Sequence, residues 1–148
     1  VEWNLLKQPQ EDIDKLHEWV SEFKKHREWF AVDTVVHSDA ADPAVRVDGC
    51  VMPNKDAAIY RFTQLTTSQT YPAAPVRLPG LDPDAVYEVS PLEVSLDLAK
   101  QDIGNGQSPL GWWTAEGVRM TGRALASYGI RPPALHPAQA VLFKVVRV

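Results

Sequence analysis

Four histidines are the residues of this chain best suited to proton transfer or metal binding near neutral pH. They are His17, His26, His37 and His136. None has a second histidine four residues away or a neighbouring cysteine, the spacings that bring two metal ligands together. We therefore predict no metal site and expect these histidines to be exposed or singly hydrogen-bonded.

The polar, glycine-rich segment over 101–111 lacks the pattern of two kinds of catalytic loop. Its glycines Gly104, Gly106 and Gly111 do not form the G-x-G-x-x-G pattern of a phosphate-binding loop, and no Lys-Ser or Lys-Thr follows them. Ser108 lacks the glycine spacing of a nucleophile elbow and is followed by proline. We predict a long loop here, with no cofactor and no nucleophile.

Asp82 and Asp84 are the closest pair of carboxylates in a turn-forming segment. Glycoside hydrolysis needs two carboxylates about 5 to 9 Å apart across the scissile bond. Two aspartates separated by Pro83 more often bend the chain and face water. We therefore interpret the pair as a turn and predict no catalytic residue within the chain.

Trp112 and Trp113 are the residues that best suggest a ligand. An exposed aromatic face can stack on a sugar ring, so paired tryptophans in a β domain indicate possible sugar contact. Adjacent residues in an extended chain point to opposite sides, which would leave one of the two rings for a ligand.

One long helix is predicted over residues 9–31. Apolar residues recur there at spacings of three and four, as on one side of an amphipathic helix. The apolar stripe consists of Ile13, Leu16, Val20, Phe23 and Phe30. It must pack on another surface, so the chain alone is expected to self-associate through this helix or to fold it back on the rest of the domain.

From residue 33 the hydrophobic period changes to two, which indicates strands. Candidate strands are 33–38, 44–52, 57–66, 76–78, 85–90, 92–99, 116–122 and 138–148. Turn residues separate them, and the last is apolar on both faces, which predicts that 140–147 lies in the interior of a sheet. The fold class is mainly β: an antiparallel β-sandwich of Greek-key type preceded by one long amphipathic α-helix.

Composition narrows the possible partners. Among the 148 residues the formal net charge is −4, and no run of Lys and Arg offers a nucleic-acid surface. No apolar run reaches the ~20 residues that span a bilayer. Cys50 is the only cysteine, which favours a reducing compartment, so we expect a cytoplasmic protein with no nucleic-acid or membrane partner.

The end of the chain resembles that of a known family. The segment "EGVRMTGRALASYGIRPPALHPAQAVLFKV" over 116–145 combines Thr121-Gly122, Gly129, Leu135-His136-Pro137 and Val141-Leu142-Phe143 at fixed spacing. It is similar to the C-terminus of the α-galactosidases of glycoside hydrolase family 36. "VEWNLLKQPQEDIDKLHEWVSEFKKHREWF" looks like the segment that leaves the end of that family's (β/α)8 barrel and forms its last helix, and "LPGLDPDAVYEV" looks like the family's hairpin after the middle strands.

The resemblance implies that residues 1–31 end the catalytic barrel and that 32–148 form the C-terminal β-sandwich. It also implies that the parent is a bacterial retaining α-galactosidase whose two catalytic aspartates lie upstream of Val1. The chain would then be a non-catalytic region that packs against the upstream barrel of the same polypeptide, or that shapes a homo-oligomer interface. The alternatives are a self-contained carbohydrate-binding β-sandwich and, third, a plain interaction domain.

Overall fold

The computed structural model describes residues 4–31, 34–40, 42–70, 73–95 and 110–148. Its helical elements include a 3-10 turn at Leu5–Lys7, helix α1 at Gln10–Phe30 and helix α2 at Gly122–Ser127, and residues 93–95 are also helical. Six strands accompany them: β1 Val35–Ser38, β2 Val45–Val51, β3 Ala57–Gln64, β4 Val86–Pro91, β5 Val118–Thr121 and β6 Gln139–Arg147. Within these ranges, no helix is long and apolar enough to cross a membrane.

Helix α1 confirms the long helix predicted from the sequence. Pro9 is the residue before its first turn, with φ of −56°. Glu11 and Asp12 lie in the first turn, where the positive end of the helix dipole stabilises carboxylates.

The six strands form one antiparallel sheet in the order β1-β2-β3-β6-β4-β5. Strands β3 and β4 follow each other in the chain but lie on opposite sides of β6, which pairs with both. The predicted interior position of 140–147 is therefore confirmed. Paired on both edges, β6 buries Val141, Phe143 and Val145 on the inner face, while Leu142 and Val146 of the outer face are half-buried.

One face of the sheet, the inner face, carries the hydrophobic core. Period-two alternation places successive residues on opposite faces, and the antiparallel register aligns them across strands. The rows across β2, β3 and β6 are Val47–Phe62–Val141, Gly49–Tyr60–Phe143 and Val51–Ala58–Val145. The apolar side chains of these rows are all buried.

Segments 73–85 and 122–138, with the turn that follows residue 110, cover the inner face. Val76 and Ile130 pair through two backbone hydrogen bonds of 2.9 Å, and the Leu78 N–H donates to the Leu125 carbonyl at 3.0 Å. All four side chains belong to the same core cluster as the sheet. The Tyr60 hydroxyl donates to the Pro79 carbonyl.

The turn after α2 depends on Gly129. Its φ is +83°, in the left-handed region that glycine adopts without steric cost. A Cβ at this position would lie 2.2 Å from the carbonyl oxygen of Val76. The residue must therefore be glycine for the Val76–Ile130 pairing to form.

The predicted mainly β, antiparallel fold with one long leading helix is confirmed, and the arrangement is consistent with a β-sandwich domain. The strand predicted over 92–99 is wrong at 92–95, where the chain leaves the sheet and the Ser95 N–H donates to the Leu92 carbonyl at 2.8 Å. Residues 96–109 of the predicted strand and loop lie outside the described ranges. The predicted strand at 76–78 is reduced to the single bridge at Val76.

Candidate functional site

A groove lies between α1 and the outer face of the sheet. Its volume is ≈ 550 Å³, within the 300–1,000 Å³ usual for small-molecule pockets. It is lined by Trp19, Phe30, Val35, His37, Arg46, Asp48, Gly49, Cys50, Ile59, Arg61, Ala140 and Leu142.

Strand alternation explains why both charged and apolar residues line this groove. Residues of β2 that point away from the core are Arg46, Asp48 and Cys50, since Val47 and Val51 point inward. Register then places Arg61 of β3 opposite Asp48, and His37 of β1 opposite the same residue on the other side.

Asp48 is the centre of an ion cluster at one side of the groove. Its Oδ2 accepts a hydrogen bond from Arg61 Nη2 at 2.6 Å, and its Oδ1 accepts one from Arg46 Nε at 2.9 Å. The His37 Nδ1 lies 2.6 Å from the same Oδ1. Burial by itself raises the pKa of the Asp48 carboxyl, but the hydrogen bonds from Arg61, Arg46 and His37 outweigh it and lower that pKa to about 2.

The remaining lining of the groove is apolar. Ile59 is buried in the sheet, and Cys50 is a half-buried free thiol. On the helix side, Trp19 is 37% exposed and Phe30 is half-buried. The groove thus combines an apolar floor and aromatic wall with one charged edge.

Helix α1 packs on the sheet with a side other than its apolar stripe. Glu22 is the only buried residue among its described positions, and its carboxylate contacts His26 at 3.0 Å and Lys25 at 3.2 Å. At ~100° per residue, the sheet-facing side that holds Trp19, Glu22 and His26 is centred roughly 100° from the predicted stripe.

The stripe is consequently left mostly open to solvent. Val20 is 40% and Phe23 is 54% exposed, and the Phe23 ring stacks on Phe30 with centroids 5.6 Å apart. Ile13 and Leu16 are half-buried. The helix does fold back on the domain as expected, but it leaves Val20 and Phe23 of the predicted stripe exposed.

Trp112 and Trp113, the predicted sugar-contact residues, are core residues in the structure. Each is 7% exposed, and their rings meet edge to face at 5.0 Å. The Trp112 Nε1–H donates to the Arg131 carbonyl at 2.8 Å, and its ring packs on Phe143. They lie in a turn, not in an extended strand, so the expected opposite orientation is wrong and neither ring presents a free face for stacking.

The remaining residues considered from the sequence are the pair Asp82 and Asp84 and the glycine-rich segment, and those of them that the structure describes do not line the groove. The Asp84 N–H donates to Asp82 Oδ1 at 3.1 Å, the local turn geometry predicted for this pair. Gly111 lies in an exposed turn, while Gly104, Gly106 and Ser108 are outside the described ranges. Of the residues described, no three His, Cys, Asp or Glu side chains are grouped so that they could hold a metal ion.

The cluster around Asp48 was not predicted from the sequence, although His37 itself is exposed and contacts one carboxylate, as expected. Alternation places Arg46 and Asp48 on the same face of β2, a signal that was present. The contributions of His37 and Arg61 depend on strand register, which spacing along the chain does not reveal.

The sequence matches a known protein family and a known enzyme. Residues 45–145 match the family described as "Glycosyl hydrolase family 36 C-terminal domain". An α-galactosidase of Escherichia coli is 24% identical over 125 residues, which cover 84% of this chain and 18% of that enzyme.

Solved structures share the fold. The α-galactosidase from Lactobacillus brevis superposes with a TM-score of 0.73 at 17% identity, over 99% of this chain and 18% of that one. The GH36 α-galactosidase AgaA from Geobacillus stearothermophilus gives a TM-score of 0.72 at 15% identity, over 99% of this chain and 17% of its own. The chain therefore spans less than a fifth of the length of these relatives.

Proposed function

Because this chain belongs to the glycosyl hydrolase family 36 C-terminal domain family, we propose that it is the C-terminal region of an α-galactosidase, which hydrolyses terminal α-galactosides. In this proposal residues 1–31 end the catalytic barrel and 32–148 form the domain that packs against it. Both catalytic aspartates are contributed from upstream of Val1. The relatives are bacterial enzymes, and the single cysteine suits a cytoplasmic location.

The chemistry of the groove supports a non-catalytic role. A retaining glycosidase needs one carboxyl as nucleophile and a second, with a raised pKa, as general acid. Among the described residues that line the groove, Asp48 is the only carboxylate, and its pKa of about 2 keeps it ionised at neutral pH. Its oxygens are engaged by three donors, which leaves little capacity for attack on a sugar.

The single observation that carries the packing role is the exposed stripe on α1. Four apolar residues of one helix side are left half-buried or exposed while a different side rests on the sheet. Contiguous exposed apolar surface marks a contact with another structure. A helix that ends a barrel has such a second side, because it packs on both the barrel strands and the following domain.

The carbohydrate-binding alternative stays a prediction, but its motivating feature is lost. The burial of Trp112 and Trp113 leaves neither ring free to stack on a sugar.

The experiment compares Phe23→Glu with Ser21→Glu, which adds the same charge on an exposed position outside the stripe. In the isolated chain, neither change should lower stability by more than ~0.5 kcal/mol, since both sites are exposed. In the intact polypeptide, Phe23→Glu should cost about 2 to 4 kcal/mol, because it buries a charge at a packed site. Thermal unfolding and the half-life of activity on an aryl α-galactoside give the readouts.

Equal behaviour of the two variants in the intact polypeptide would refute the packing role. A stability loss of the same size in the isolated chain would show instead that Phe23 is packed within this domain.

A further inference from the structure

We propose that the groove between α1 and the outer face of the sheet binds a small organic anion, with a carboxylate held by Arg46 and Arg61 and a ring-sized apolar body beside Trp19. This proposal is independent of the packing role, because the exposed stripe residues Val20 and Phe23 do not line the groove, which the stripe reaches only through Phe30.

The charge balance of the cluster favours an anion. Among the residues that the structure describes, two guanidinium groups share the carboxylate of Asp48, so the cluster has one positive charge in excess even when His37 is neutral. The Arg46, Arg61 and His37 side chains are all more than half exposed, so a ligand can reach them.

The hydrogen-bond donors and acceptors of the cluster also favour an anionic ligand. Within the described ranges, Arg46 uses only its Nε–H and Arg61 only its Nη2 in hydrogen bonds. The two Nη groups of Arg46 and the Nε and Nη1 of Arg61 are therefore spare donors, in the fork geometry that matches a carboxylate. Asp48 already accepts three of the about four hydrogen bonds that a carboxylate can take.

This imbalance disfavours a neutral sugar as the ligand. Sugar hydroxyls need acceptors as well as donors, and the cluster offers almost no free acceptor. The apolar floor formed by Ile59, Ala140 and Leu142 suits a hydrocarbon body, and Trp19 supplies an aromatic wall. A cavity of ≈ 550 Å³ accommodates a single substituted ring.

The test uses three probes with the isolated chain: phenylacetate, its neutral isostere phenylacetamide, and acetate, which has no ring. Binding is followed by chemical-shift changes of the Trp19 indole N–H. As a second readout, the groove's thiol, Cys50, is alkylated with iodoacetamide in the presence of each probe. We expect phenylacetate to bind at least tenfold more tightly than either of the others and to slow alkylation.

Substitutions of the two arginines test whether phenylacetate binds in this groove. Arg61→Gln and Arg46→Gln should each weaken phenylacetate binding about tenfold or more, since each removes charge-assisted hydrogen bonds. Arg123→Gln is the matched control, because Arg123 is likewise an exposed arginine paired with an aspartate at 2.6 Å, but on α2. The folded state of each variant is checked by the dispersion of the same amide spectra.

Several results would overturn the proposal. They are equal binding of phenylacetate and phenylacetamide, tighter binding of methyl α-galactoside than of phenylacetate, an equal loss in Arg123→Gln, or no shift at Trp19. If one arginine variant unfolds, the other decides the question together with the acid-against-amide comparison in the unaltered chain.

Discussion

Replacing Gly49 with alanine should destabilise the domain by crowding the centre of its core. Gly49 lies in β2 directly opposite Tyr60 of β3. A Cβ added to Gly49 would lie 2.4 Å from Cδ1 and 2.5 Å from Cε1 of the Tyr60 ring. Both distances are far below van der Waals contact, so the ring or the strand must move.

The surroundings of Tyr60 decide how much this movement costs. The side chain is fully buried, its hydroxyl is bonded to the Pro79 carbonyl, and its ring stacks on Phe143 with centroids 5.8 Å apart. Overpacking of a tight core costs about 1–3 kcal/mol. We expect about 2 kcal/mol for Gly49→Ala, which for a domain of this size lowers Tm by roughly 4–8 °C.

Thermal and urea unfolding of the variant provide the assay, with Gly111→Ala as the control. An added Cβ at Gly111 meets no atom within 4 Å, so this change should stay within ~0.5 kcal/mol of the original chain. Tyr60→Val removes the ring that causes the clash. In a chain that already carries Tyr60→Val, Gly49→Ala should therefore lower the free energy of unfolding clearly less than it does in the original chain.

An unchanged Tm for Gly49→Ala would refute this reasoning. The same conclusion follows if the cost of Gly49→Ala is identical with and without the Tyr60 ring, because the clash would then not be the cause.

Two further predictions concern charge and catalysis. The pKa of Asp48 in the folded chain is about 2, below its usual value of 3.8. The ionised carboxylate therefore contributes its full stabilisation of the fold above pH 3.8, and this stabilisation is lost as the pH falls through 2. Asp48→Asn should therefore cost about 1 kcal/mol at pH 5, allowing for screening at the half-exposed arginines, and almost nothing near pH 2; a pH-independent difference in unfolding free energy would contradict this. The isolated chain should not hydrolyse an aryl α-galactoside, and turnover that disappears on substitution of one aspartate of the chain would disprove the non-catalytic role.

Local sequence determined most of the secondary structure and the inner face of the sheet. Alternation in 44–52 and 57–66 places Val47 and Val51 on one face of their strand and Tyr60 and Phe62 on one face of theirs, because successive residues of a strand point to opposite faces. All four are buried in the structure. The two-sided apolar pattern at 140–147 likewise predicted an interior strand. The glycine at position 129 is likewise a local requirement, because the turn there needs a residue with positive φ.

Tertiary structure alone decided which surfaces meet. Hydrophobic period identified a stripe on α1, but the helix rests on the sheet through Glu22 and its neighbours, since a wheel shows an apolar side and not the surface available to it. The burial of Trp112 and Trp113 and the meeting of His37, Asp48 and Arg61 also depend on distant segments. Strand order and strand register bring such residues together. Both result from the packing of the whole chain, so they cannot be read from the spacing of residues along the sequence.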